Sequence, residues 1–372
     1  MLGPYKLLFV FGTRPEAIKL APVIKEAERD AAFQVETCVT GQHRTMLDQM
    51  LEVFGISPKY DLDLMQSDQS LFTFTGDAVV GIGGVLAEAK PDLVIVQGDT
   101  TTTMVGALGA YYLKIPVAHV EAGLRTHDKY APFPEEINRH IVGVVADLHF
   151  APTEWARGNL LREGVREDRI FVVGNTVVDA ALMISETLDT AGAAGSESGG
   201  GRLILVTAHR RESFGRLREI CDVIRRVVEE FDDVAVMFPV HLNPNVERVV
   251  RSALAGLERV QLAPPLDYVS LIRVLRESYL VLTDSGGIQE EAPIFGKPVL
   301  VLREVSERPE GLEANVARLV GTSAATILPH LRRLLCDKGE YSRMARAQSP
   351  YGDGKASGRI VKLVKRFLDS RT

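Results

Sequence analysis

Short, unbroken apolar runs alternate with stretches of helical spacing along nearly the whole chain, in two separate series. The first series predicts strands over residues 6–11, 33–39, 93–97, 117–120, 148–151 and 170–173. The second predicts them over 203–207, 234–239, 260–262, 280–283 and 299–302. Helical spacing falls between them, as at 17–32, 102–113, 217–230, 266–277 and 287–295. A strand buried on both faces has no polar alternation, because helices cover each side of its sheet. Regular strand–helix alternation then requires crossover connections and a parallel sheet. Two series predict an α/β protein of two doubly wound parallel-sheet domains, and 372 residues exceed what one ordinary core carries.

The expected division is an N-terminal domain over 1–174, a C-terminal domain over 175–356, and a final helix over 357–372 that packs back on the N-terminal domain. The Gly/Ser/Ala-rich stretch 191–201 then becomes a surface loop of the second domain rather than the linker.

Composition narrows the function classes. A hydrophobic content of 46% and a charged content of 25% are those of a globular chain. A net charge of −6 argues against general nucleic-acid binding but leaves room for a local basic pocket that holds an anion. The three cysteines, Cys38, Cys221 and Cys336, have no paired spacing, which points away from a disulfide framework or zinc ribbon and toward a reducing compartment. No signal-like segment and no unbroken apolar run of membrane-spanning length is visible, so the expectation is a cytoplasmic protein without a membrane partner.

In open parallel sheets ligands sit beyond the carboxyl ends of the strands, so the residues just after each predicted strand carry the information. The first strand enters Gly12-Thr13-Arg14-Pro15, a turn into a helix whose first amides suit an anion, with Arg14 and Lys19 adding cations. The same residues also suit an ordinary strand–turn–helix with surface cations. Asp99 and Glu121 end neighbouring predicted strands, and Glu135 sits in a proline-stiffened entry to a helix. Crowded carboxylates divide acid and base roles, although Asp99 could equally cap the helix that follows it and Glu135 simply begin the next. His209 precedes two arginines after a strand, which is poor packing material and good pyrophosphate material. Ser285-Gly286-Gly287 opens a helix as an anion nest, with Glu291 further along it. Capping by Asp284 or Ser285, with Glu290 and Glu291 solvated, is the alternative. No HExxH or comparable cluster suggests a metal.

Eight segments in order, 11–22 (FGTRPEAIKLAP), 41–43 (GQH), 98–102 (GDTTT), 119–126 (HVEAGLRT), 134–139 (PEEINR), 174–179 (GNTVVD), 209–214 (HRRESF) and 283–293 (TDSGGIQEEAP), resemble the non-hydrolysing UDP-N-acetylglucosamine 2-epimerases. The resemblance implies a glycosyltransferase-B-like fold of two Rossmann-like domains facing a cleft. It also implies reversible epimerisation of UDP-N-acetylglucosamine to UDP-N-acetylmannosamine, by elimination and re-addition of UDP through 2-acetamidoglucal, with no cofactor and no metal. Asp99, Glu121 and Glu135 match the family's acid/base carboxylates, with Asp99 and Glu135 as the leading proton-transfer groups. His209 matches the histidine on the UDP diphosphate, Arg14 and Lys19 the basic residues near UDP and sugar, and Ser285, Gly286 and Glu291 the diphosphate and ribose contacts. Arg139 and His241 are further binding candidates.

Gln42, His43 and Arg44 match part of the site where many bacterial members bind a second UDP-N-acetylglucosamine as activator. Thr45 and Asp68 stand where those members carry glutamine and arginine, which implies weakened or lost activation. The family implies a homodimer serving cell-envelope polysaccharide synthesis. A 2-epimerase of a UDP-2,3-diacetamido-uronic acid shares the nucleotide site and is the main rival. A glycosyltransferase of the same fold would need an acceptor site, and a non-catalytic nucleotide-sugar sensor would not need the three carboxylates.

Overall fold

The computed structural model describes residues 3–41, 44–66, 69–190, 201–208, 216–240, 243–306 and 308–371. The chain divides into two compact units, Met1–Ala180 with Tyr351–Thr372, and Ala181–Pro350.

The first unit runs β1 (Tyr5–Phe11), α1 (Arg14–Glu28), β2 (Phe33–Val39), α2 (Arg44–Val53), β3 (Tyr60–Asp61), α3 (Leu71–Ala89), β4 (Leu93–Gln97), α4 (Thr101–Tyr112), β5 (Val117–Val120), α5 (Glu135–Val145), β6 (Leu148–Ala151), α6 (Glu154–Arg162), β7 (Ile170–Val172) and the start of α7 (Thr176–Thr190). Its seven strands are all parallel, in the order β3-β2-β1-β4-β5-β6-β7. Leu8 and Val10 of β1, Val94 and Val96 of β4, and Phe74, Ala78 and Ile82 of α3 form one buried cluster. Burying each of the larger side chains contributes about 1.5–3 kcal/mol.

The second unit runs β8 (Arg202–Thr207), α8 (Leu217–Glu230), β9 (Val234–Pro239), α9 (Pro244–Leu254), β10 (Val260–Ala263), α10 (Tyr268–Glu277), β11 (Leu280–Thr283), α11 (Gly286–Glu291), β12 (Val299–Val301), α12 (Pro309–Glu313), β13 (Ala317–Leu319), α13 (Ala324–Cys336) and α14 (Lys338–Ala345). Its six strands are also all parallel, in the order β10-β9-β8-β11-β12-β13. The chain ends in α15 (Ala356–Asp369), which packs on α1; Lys365 pairs with Asp30 at 3.3 Å and the Tyr5 hydroxyl donates to Asp369 at 3.0 Å.

Each sheet reverses its winding beside its first strand, between β1 and β4 in one unit and between β8 and β11 in the other. Such switch points are where open α/β sheets bind ligands. The turns that leave β1, β4 and β11 carry GTRPE, GDTTT and TDSGG, so these three motifs read from the sequence fall at the two switch points.

Several details differ from the sequence reading. The division between units falls inside α7 instead of at 174/175, and the returning segment starts at Tyr351 instead of 357. Pairing explains both: the Asn175 N–H donates to the Tyr351 carbonyl at 2.6 Å, and Asp179 accepts from the Ser357 N–H at 2.8 Å and its hydroxyl at 2.6 Å. Helix α1 starts three residues before the expected Ala17 because Thr13 takes the N-cap, in extended conformation. Among the described residues, α3 is the one helix long and apolar enough to cross a membrane by length and composition. A search for unbroken apolar runs misses it because Asp77 and Glu88 interrupt it. One face of α3 is buried in the core cluster.

Candidate active site

Gly12 ends β1 because nothing larger fits: a Cβ there would lie 2.1 Å from the Thr40 hydroxyl oxygen and 2.7 Å from that of Thr102. Arg14 follows in the first turn of α1, half-buried and with no carboxylate partner among the described residues. Lys19 lies further along that helix and reaches Glu121 at the end of β5.

The turn after β4 is held at three successive carbonyls. The Thr103 hydroxyl donates to Gln97 O at 2.6 Å, His119 Nε2 to Gly98 O at 2.8 Å, and Asn138 Nδ2 to Asp99 O at 2.9 Å. Thr100, not Asp99, caps α4, accepting from the Thr103 N–H at 3.1 Å. The Asp99 carboxylate is thereby left for Arg139, whose Nε and Nη2 approach the same Oδ2 at 2.9 and 2.6 Å. Arg139 also holds Glu136 at 2.9 Å. Burial pulls the Arg139 guanidinium down, but the Asp99 and Glu136 carboxylates outweigh it and raise its pKa above the ordinary value. Burial pushes Glu136 up, yet the N–H groups of His127 and Thr126 together with Arg139 bring it below the usual carboxylate range. Glu135, Asn138 and Arg139 share one face of α5 by their three- and four-residue spacing. Glu135 does begin the helix, and its Oε2 is buried without a hydrogen-bond partner among the described residues.

Glu121 adopts the left-handed conformation, with φ of 64°. A side chain held there costs about 1–3 kcal/mol, and such strain persists where surrounding contacts enforce it. Here the enforcing contacts are on the carboxylate. Its Oε2 accepts from Lys19 Nζ at 2.5 Å and Asn175 Nδ2 at 2.9 Å, and its Oε1 from Gln97 Nε2 at 3.1 Å. Gly98 sits alongside, so the Asp99 turn and Glu121 are neighbours.

At the switch point of the second unit, Thr207 and Thr283 face each other across β8 and β11 with their hydroxyls 2.6 Å apart, and the Ser285 N–H donates to Thr283 Oγ1 at 2.9 Å. The Ser285 hydroxyl makes no capping bond. Glu290 and Glu291 are buried, at 2% and 4% exposure, contrary to the solvated-face alternative. Glu291 accepts from the Tyr268 hydroxyl at 3.0 Å, and Glu290 pairs with Arg308 Nε at 2.5 Å. The Arg308 guanidinium lies over Gly286, where a Cβ would come within 2.6 Å of it. Gly286 therefore admits a cation to the Ser285-Gly286 turn.

The first unit thus brings together Lys19, Asp99, Glu121 and Arg139, with Glu135 on the same face of α5 as Arg139. The second gathers Ser285, Gly286 and Glu291. His209, His241, Gln42 and His43 lie outside the described residues, as do Asp68 and the side chains of Arg44 and Thr45. Sequence reasoning missed Gln97, Asn175, Glu136 and Arg308 as partners of the site. Their available signal was position alone: the end of a strand, the entry to a helix, or a cation before Pro309. Among the described residues no group of three or more His, Cys, Asp or Glu side chains could hold a metal ion.

The family model for UDP-N-acetylglucosamine 2-epimerase matches residues 25–365. A putative UDP-N-acetylglucosamine 2-epimerase of Thermotoga maritima is 51% identical over 363 residues, covering 96% of this chain and 96% of its own. The UDP-N-acetylglucosamine 2-epimerase of Salmonella typhimurium is 49% identical over 371 residues, covering 97% of this chain and 99% of its own. Among solved structures, UDP-GlcNAc 2-epimerase from Neisseria meningitidis bound to UDP-GlcNAc superposes with a TM-score of 0.89 at 42% identity, covering 97% of this chain and 100% of its own. Two Rossmann-like parallel-sheet units with clustered carboxylates and cations at a switch point define an α/β enzyme of the glycosyltransferase-B-like class. The chain belongs to the UDP-N-acetylglucosamine 2-epimerase family and is an isomerase.

Proposed function

We propose that the chain interconverts UDP-N-acetylglucosamine and UDP-N-acetylmannosamine without hydrolysing either. A carboxylate takes the C2 proton, the C–H electron pair becomes the C1–C2 double bond of 2-acetamidoglucal, and the C1–O bond breaks with its electrons leaving on UDP. UDP then re-adds at C1 while C2 is protonated from the opposite face. The C2 proton is weakly acidic, so departure of UDP must be assisted by cations and oriented amides on the diphosphate.

The observation that carries this reading is the unequal pairing of three carboxylates. Glu121 is tied by Lys19, Asn175 and Gln97, and Asp99 by Arg139, while Glu135 keeps a buried oxygen without a partner among the described residues. Unequal environments are how two acids divide donor and acceptor roles. Glu135 and Asp99 exchange the protons at C2, and Glu121 stays a fixed anion that orients Lys19. His209, Arg14, Ser285 and Gly286 hold the diphosphate, Glu291 the ribose, and Arg139 and His241 assist. The binding of UDP-GlcNAc to the Neisseria meningitidis relative supports the substrate assignment.

We also propose a homodimer that works in the cytoplasm and feeds cell-envelope polysaccharide synthesis. Support for the dimer comes from exposed apolar residues on the neighbouring helices α3, α4 and α5: Phe72 at 91%, Val80 at 77%, Tyr112 at 64% and Val144 at 87% exposure.

Chromatography of the purified chain with UDP-N-acetylglucosamine and no additive tests the activity. A mixture of the two UDP-sugars is expected. Free UDP and N-acetylmannosamine as main products would move the chain to the hydrolysing class, and absence of any product would remove the reading.

A further inference from the structure

Glu16 has no role in the chemistry assigned above, yet it sits between two of the turns that perform it. Its side chain is enclosed, at 1% exposure, on the first turn of α1. Oε2 accepts from the N–H groups of Gly12 and Thr13 at 3.0 and 2.8 Å and from the Thr13 hydroxyl at 2.7 Å. An N-terminal glutamate at this position ordinarily stops there, closing a capping box. Here Oε1 continues across the sheet to the hydroxyls of Thr100 at 2.7 Å and Thr103 at 2.9 Å, on the turn that carries Asp99. One carboxyl therefore ties the end of β1, and with it Arg14, to the end of β4. Desolvation is the largest influence on it and raises its pKa.

We propose that Glu16 is a positioning residue for the reaction, locking the Asp99 turn to the turn that bears Arg14. The inference rests on the reading that Asp99 works on the substrate.

Hydrogen-bond counting says which replacement the lock tolerates. The Thr103 hydroxyl has one proton and faces two acceptors, Gln97 O at 2.6 Å and Glu16 Oε1 at 2.9 Å. A glutamine with its oxygen in the place of Oε2 keeps the three donors from Gly12 and Thr13. Its amide group then donates to Thr100 and Thr103, Thr103 keeps its bond to Gln97 O, and the Thr100 proton turns to Thr103 Oγ1, which lies 3.1 Å away. Every polar atom stays satisfied, so Glu16→Gln preserves the lock without the charge. Glu16→Ala leaves the buried Gly12 and Thr13 N–H groups and the Thr13 hydroxyl unpaired and cuts both struts from α1 to the Asp99 turn. Thr100→Val cuts one strut to that turn together with the α4 N-cap bond from the Thr103 N–H, and leaves the α1 capping box intact.

The test is steady-state conversion of UDP-N-acetylglucosamine by these three variants of the full chain, assayed below the melting midpoint of each. For Glu16→Ala the expected result is a kcat lower by about tenfold or more with KM within about threefold, because displacing a reacting group weakens the chemical step more than binding. Glu16→Gln stays within about threefold of the parent kcat, and Thr100→Val falls between them. Should Glu16→Ala fail to fold, the contrast between Thr100→Val and the parent carries the test. Unchanged kcat in Glu16→Ala and Thr100→Val, or a loss in Glu16→Gln as large as in Glu16→Ala, overturns the proposal. If the parent chain does not convert the sugar, the functional reading itself fails, which is a distinct result.

Discussion

Lys19 Nζ lies 2.5 Å from Glu121 Oε2, joining the first helix of the first unit to the end of strand β5. Both side chains are largely buried, at 14% and 7% exposure. Removing one member of such a pair strands the other as an uncompensated charge, which costs about 3 kcal/mol or more. Lys19→Met is therefore expected to lower unfolding free energy by about that amount and to depress kcat. Adding Glu121→Gln should recover much of the stability, since the stranded charge is gone, but not the activity. Urea unfolding and conversion rates of the single and double variants check this; a double variant no more stable than Lys19→Met would contradict it.

Arg139 grips Asp99 by two nitrogens on one oxygen, a geometry that a single ammonium does not reproduce. Arg139→Lys keeps the charge and loses the fixed orientation. Its kcat is expected to fall by about tenfold to a hundredfold, with a smaller change in KM. A kcat equal to that of the parent chain would show that the orientation of Asp99 is immaterial.

These two pairs also show what was readable in the chain beforehand. The two switch points emerge only from the strand order of the folded sheets, whereas Asp99, Glu121 and Glu135 stood out because strands and helices announce their own ends. Their partners were not readable. Asn175 meets Glu121 across 54 positions and Glu16 meets Thr100 across 84, and only the folded sheet creates those contacts. Arg308 is a similar case, since nothing local says that it will cover Gly286. Strands β3 and β13, of two and three residues, carry too few side chains to form a pattern.

Two buried imidazoles predict a pH response. Burial pushes His119 down to about 3 and His149 down to about 4, from an ordinary 6.5. Below pH 6.5 the unfolded chain protonates them and the native chain does not, so their contribution is full above that pH and is lost as pH falls toward the native values. Glu16 and Asp179, raised by burial, act in the opposite sense, so a single-histidine comparison is needed. His149→Gln should flatten the dependence of unfolding free energy on pH between 6.5 and 4.5 by about 1.4 kcal/mol per pH unit. Equal slopes in parent and variant would refute it.

We propose that Thr45 and Asp68 stand where many bacterial members of the family carry the glutamine and arginine of an activator site. Added UDP-N-acetylglucosamine is therefore expected to leave the reverse reaction unaccelerated, and substrate dependence should be hyperbolic. Sigmoidal kinetics with strong activation would show that the second site persists.

The apolar surface over α3, α4 and α5 predicts a dimer. Sedimentation at micromolar concentration should give about twice the chain mass, and Val80→Glu with Val144→Glu should halve it. A parent chain that sediments as a monomer would remove the dimer proposal.

Epimerisation by the proposed route requires proton exchange at C2 with UDP as the departing group. Proton NMR of the chain with UDP-N-acetylglucosamine in deuterated water, with nothing else added, follows that exchange. UDP-N-acetylmannosamine carrying deuterium at C2 is expected, with deuterium entering the recovered substrate as the reaction reverses. Epimerised product that retains its original C2 proton would contradict it.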